Sequence, residues 1–138
     1  MSDTLIDANV LIDVFAADPV WRDWSARQLL SARASGELVI NPIVYAEVAA
    51  AFSTQRRLDE ALGPERYRRE NLPWEAAFNA GRAFVTYRRA GGVKRSPLPD
   101  FYIGAHAEVK GYALLTRDHA RYRAAFPTLR IVSPETHP

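Results

Sequence analysis

A chain of 138 residues, 48% apolar and 25% charged, is long enough for one folded domain with a sizeable core. The absence of cysteine excludes disulfides and thiolate-held zinc, and no apolar run approaches the roughly 18 residues that a bilayer span needs. The formal net charge is only +2, yet 16 of the 18 basic residues are arginine, whose planar fork suits phosphate oxygens. That bias points weakly to nucleic acid, because a GC-rich genome produces it too. Met1-Ser2-Asp3 lacks a signal peptide's basic start, so the expected location is the cytoplasm, with no membrane contact.

In chain order, residues 4–7 read as a short apolar strand and 8–17 as a helix. Asp18-Pro19 is a cap followed by a helix-starting proline, and Gly36 closes the helix that follows. Glu37-Leu38-Val39-Ile40 is a second strand, and Asn41-Pro42 caps a helix over 42–53. Helical patterns recur over 55–71 and from Trp74 to Ala90, which predicts a helical arm or hairpin between the second and third strands. Gly91-Gly92 ends it, and 91–98 is a basic, proline-containing loop. Pro99-Asp100 opens a helix that stops at Gly111; Tyr112-Ala113-Leu114-Leu115 is a third strand. A short helix near 119–125 and a strand over Leu129-Arg130-Ile131-Val132 complete the pattern. Strands alternating with helices predict an α/β fold with a central parallel sheet. The boundaries predict one domain over 1–133, with 134–138 a short frayed tail.

Four acids stand out. Asp7 directly follows a buried-type strand, which in a parallel sheet puts it on the ligand-binding rim; read alone, it is a helix N-cap. Glu47 lies in Pro42-Ile43-Val44-Tyr45-Ala46-Glu47-Val48-Ala49, where small and apolar neighbours make a bare carboxylate costly unless an arginine or a metal pairs with it. Asp100 opens the helix Pro99-Asp100-Phe101-Tyr102-Ile103-Gly104-Ala105, and Asp118 follows Leu114-Leu115-Thr116-Arg117 as Asp7 follows its strand. Two strand ends and two helix starts on one rim predict a cluster of like charges, which a hard divalent cation such as Mg²⁺ or Mn²⁺ would hold together. Such a cation supports phosphodiester hydrolysis.

These blocks (Leu5-Ile6-Asp7-Ala8-Asn9-Val10-Leu11-Ile12, Tyr45-Ala46-Glu47-Val48, Leu98-Pro99-Asp100-Phe101-Tyr102-Ile103-Gly104-Ala105 and Leu114-Leu115-Thr116-Arg117-Asp118) resemble the PIN-domain family, and within it the VapC-type toxins of bacterial toxin–antitoxin pairs. The resemblance runs from Ile6 to Val132. It implies a three-layer α/β/α sandwich with a central parallel sheet and a Mg²⁺- or Mn²⁺-dependent endoribonuclease. Asp7, Glu47, Asp100 and Asp118 would be its catalytic and metal-holding acids, supported by Asn9 and Thr116. It also implies an RNA substrate, a VapB-type antitoxin and a homodimer. Many relatives read Thr-Arg-Asn, then an acid three residues on before an aromatic; here Asp118 takes the Asn place, and Arg121-Tyr122 stand at the later positions.

Lys94, Arg95 and Arg117 are candidate RNA contacts, while Arg66, Arg68 and Arg69 read as an exposed helical face. Asp13 reads as solvated, and His106 and His119 as surface or packing residues. Trp21, Trp24, Trp74, Phe52 and Phe78 read as core, dimer or antitoxin contacts. Two other functions compete with the nuclease. A phosphohydrolase forming an aspartyl-phosphate would want a second acid two residues after Asp7, where Asn9 stands. A catalytically silent PIN-like module would bind RNA or a protein.

Overall fold

The computed structural model describes residues 2–95 and 98–138. Five strands, β1 (Thr4–Ile6), β2 (Leu38–Ile40), β3 (Tyr67–Arg69), β4 (Ala113–Leu115) and β5 (Ile131–Val132), form one sheet in the order β3-β2-β1-β4-β5. Every pairing is parallel, from Thr4 opposite both Leu38 and Ala113 to Leu115 opposite Val132. Among the described residues, seven helices connect and flank the strands: α1 (Ala8–Phe15), α2 (Arg22–Ser35), α3 (Pro42–Ala49), α4 (Gln55–Ala61), α5 (Trp74–Arg89), α6 (Pro99–Lys110) and α7 (His119–Ala125). The result is the three-layer α/β/α sandwich expected from the sequence.

The chain steps outward from β1 to β2 and β3, then returns across the sheet to β4 and β5. Parallel crossovers are right-handed, so this reversal puts α1–α4 on one face and α5–α7 on the other. The packing follows that division: α1 meets α2 and α3, while α6 meets α5 and α7. With both faces covered, β1, β2 and β4 are buried at every residue, as their unbroken apolar runs require. Among the described residues, no helix is long and apolar enough to cross a membrane.

Local chemistry fixes the helix ends. The Asp18 carboxylate accepts from the backbone N–H of Val20 and Trp21, both at 2.8 Å, and so caps the turn that leads into α2 at Arg22. Asn41 Oδ1 accepts from Val44 N–H at 2.9 Å and starts α3 behind Pro42. This cap leaves the Asn41 amide to donate to Nδ1 of buried His106 at 2.9 Å, and the ring's Nε2–H donates to Glu70 at 2.8 Å. His106 is thus a packing residue that ties α6 to the β2–β3 rim.

Two expectations are overturned. The region 55–71 is not one helix: α4 ends at Ala61, and Tyr67–Arg69 is the edge strand β3. Its charges hide the strand, because Arg68 bonds Asp3 and the Tyr112 hydroxyl, each at 3.0 Å, and Arg69 bonds Asp59 at 2.8 Å. An edge strand tolerates such residues where a central one does not. The tail is not frayed either. The Trp24 indole donates to the His137 carbonyl at 2.7 Å, and the Thr136 hydroxyl donates to that of Ile131 at 3.2 Å.

Helices α6 and α7 meet at a point with no spare room. A methyl group on Gly104 would lie 2.3 Å from the ring of Phe126, which is itself buried. Gly104→Ala should therefore lower stability by about 1–3 kcal/mol through overpacking, despite alanine's better helix propensity. Thermal melts check this: an unchanged or raised melting temperature means the ring has room to turn aside.

Candidate functional site

Reversal of the strand order at β1 and β4 opens a crevice outside their carboxyl ends, where open α/β sheets bind ligands. Asp7 leaves β1 into it, Thr116 leaves β4, and the first turns of α1 and α6 supply Asn9 and Asp100. The cavity there is lined by Asp7, Ala8, Asn9, Ile12, Glu47, Asp100, Asp118 and Arg121. All four acids expected from the sequence thus face one pocket.

Asp7 is the most enclosed, at 4% exposure. Its Oδ1 accepts from Ala8 N–H at 2.8 Å. Its Oδ2 accepts from three donors: the Thr116 hydroxyl at 2.8 Å, the Tyr122 hydroxyl at 3.0 Å and the Asn9 amide at 3.3 Å. Burial pushes this carboxyl up to about 6, against the Thr116 hydrogen bond, and the charge of Asp100 adds to the rise. The other acids are bound up too. Asp100 Oδ2 accepts from Arg121 Nη1 at 2.8 Å, and Oδ1 from Tyr122 at 3.4 Å. Asp118 accepts from Asn9 at 3.3 Å and lies 3.8 Å from the same Arg121 nitrogen. Glu47 is the exception: its Oε1 is buried with no hydrogen-bond partner. Burial, then the charges of Asp7 and Asp100, push the Glu47 carboxyl up to about 7.

This donor arrangement corrects the expected chemistry. Among the described residues, no three His, Cys, Asp or Glu side chains are placed to hold a metal ion. The four acids share a pocket, but both oxygens of Asp7 and of Asp100, and Oδ2 of Asp118, are engaged by the chain's own N–H, O–H and guanidinium donors. A Mg²⁺ or Mn²⁺ ion does not fit the residues as they stand. The expectation of a metal-dependent endoribonuclease at a four-carboxylate site is overturned with it.

The expected RNA contacts are dispersed. Arg117 turns its fork onto Asp13, at 2.7 and 3.0 Å, and stacks over Trp21 at 5.3 Å. Asp13 is accordingly 2% exposed, not solvated, and also accepts from the Ser25 hydroxyl at 2.7 Å. Lys94 and Arg95 are exposed, and neither is among the described residues that line the pocket. Ser96 and Pro97, in the loop expected to flank it, lie outside the described residues. Sequence reasoning missed the parts played by Tyr122 and Arg121. The one available signal was their helical spacing from Asp118, at i+4 and i+3.

A family model described as PIN domain matches residues 4–127. No curated protein matches the chain. Among solved structures, a toxin–antitoxin complex from Klebsiella pneumoniae contains a similar chain: 25% identical, TM-score 0.69, covering 95% of this chain and 97% of that one. VapBC2 from Rickettsia felis, bound to a promoter DNA fragment, is similar at 16% identity and TM-score 0.72, over 95% and 98% of the two chains. FitAcB from Neisseria gonorrhoeae is similar at 19% identity and TM-score 0.70, over 98% and 99%. At these last two identities the likeness is one of fold.

Two predictions follow from the electrostatics. A carboxyl raised in the folded state adds stability below its unfolded value and loses it as pH climbs through the folded one. For Glu47 that window runs from its ordinary 4.5 to about 7. Glu47→Gln should therefore melt a few degrees higher than the wild type at pH 8, and the two should converge at pH 5. A constant difference across that range would mean that Glu47 is not held protonated by its surroundings. Arg117→Met strands a buried Asp13 and should cost about 3 kcal/mol in urea unfolding; a loss below about 1 kcal/mol would place the pair in the ordinary surface class.

Proposed function

The chain belongs to the PIN-domain family, and from that premise we propose that it acts as a protein-binding module: the PIN-fold half of a toxin–antitoxin-type pair, working as a homodimer. One exposed helix face carries this reading. On α5, Trp74 is 91% and Phe78 68% exposed. At 100° per residue, Gly81 and Val85 share their stripe within an arc of about 60°. The opposite face of α5 buries Ala76 and Ala80, and Phe84 and Tyr87 pack there against Phe101.

Gly81 is the telling member. Nothing lies within 4 Å of where its Cβ would be, so no contact inside the chain asks for glycine in mid-helix. Alanine there would favour the helix by up to about 1 kcal/mol. A flat notch beside two aromatic knobs is self-complementary under two-fold symmetry: antiparallel pairing sets each copy's Phe78 against the other's Gly81. The Klebsiella pneumoniae relative, a complex of toxin with antitoxin, supports a second partner of the antitoxin kind.

The test combines light scattering with co-expression. The wild type should run at twice the chain mass, and Phe78→Lys at the single-chain mass. Gly81→Ala should weaken the dimer while raising the stability of the dilute chain. Co-expressed with any short reading frame found to adjoin its gene, the chain should purify as a complex. A folded wild type that stays monomeric and captures no such product overturns the reading; if it then retards labelled RNA, an RNA-binding module takes its place.

A further inference from the structure

We propose that the Arg121 guanidinium is the pocket's own counter-ion: supplied from α7, it stands in for the divalent cation that this constellation of acids would otherwise demand. One nitrogen, Nη1, sits 2.8 Å from Asp100 Oδ2 and 3.8 Å from Asp118 Oδ2, and so bridges a carboxylate on α6 to one at the start of α7. Arg121 lines the same cavity as Asp7 and Glu47. No other arginine or lysine is among the described residues lining it.

The other polar groups complete the substitution. Around Asp7, the hydroxyls of Thr116 and Tyr122, the Asn9 amide and the Ala8 N–H already engage both carboxyl oxygens. Asn9 also bonds Asp118, so one amide serves two acids. A cation arriving from solvent would have to displace Arg121 and compete with those donors. The guanidinium is tethered to its acids by the chain, so its local concentration is fixed, whereas a free ion must be supplied by solution. Arg121 is also 61% exposed at its side chain, so replacing it removes a charge without opening the core.

Mn²⁺ alone is the probe, read by the free-ion EPR signal and by thermal shift, with no RNA present. The wild type and Arg121→Lys should show no saturable Mn²⁺ binding and no change in melting temperature. Arg121→Gln should melt lower in the absence of divalent ions, recover with Mn²⁺, and bind it roughly tenfold or more tightly than the wild type. Wild type binding Mn²⁺ as tightly as Arg121→Gln overturns the proposal, as does an Arg121→Gln protein that gains no Mn²⁺ affinity. Neither result bears on the α5 dimer, whose readout is mass.

Discussion

Four carboxyl groups brought to one rim of a parallel sheet cannot all carry charge side by side without compensation, and the rest of the crevice is built around that constraint. Three means of compensation operate at once. Hydrogen bonds converge on Asp7, a tethered guanidinium meets Asp100 and Asp118, and burial keeps Glu47 and Asp7 inclined to hold a proton. The residues come from several elements, so the pocket's electrostatics and the mutual placement of β1, β4, α1, α3, α6 and α7 are one problem.

The sheet order is what allows these elements to meet. Because the chain reverses direction at β1, strand ends 109 residues apart in sequence lie side by side, close enough for Thr116 to bond Asp7. The same reversal sends α5 to the face opposite α1–α4, where it packs on α6 and leaves its Trp74–Phe78 stripe outward. The acidic crevice and the apolar stripe therefore sit on connected but separate parts of the molecule.

What could be read from the sequence was what is local. Asp7 after the apolar pair Leu5-Ile6, Asn41-Pro42 before α3 and Gly111 after α6 each announce themselves within a few positions, and they were enough to place the acids on one rim. Partnerships across the fold left no such trace. Tyr122 reaches Asp7 across 115 residues, and Arg117 reaches Asp13 across 104, so one apparent RNA contact proved to be a structural fork. Strand β3 was hidden because the arginines that stabilise an edge through ion pairs look, one-dimensionally, like a solvated helix face. A count of acids, likewise, says nothing of how many of their oxygens remain free.

The contact between Gly104 and Phe126 sets more than the packing of two helices. Gly104 lies one turn beyond Asp100 on α6, and Phe126 caps the C-terminal end of α7, the helix whose first turn carries Arg121. The hydrogen atom that serves as glycine's side chain therefore acts as a spacer gauge for the ion pair. A bulkier residue would work as a wedge between the helices, prying the guanidinium from its carboxylate a full turn away. The spacing of the two helices that carry the ion pair thus depends on the smallest side chain between them.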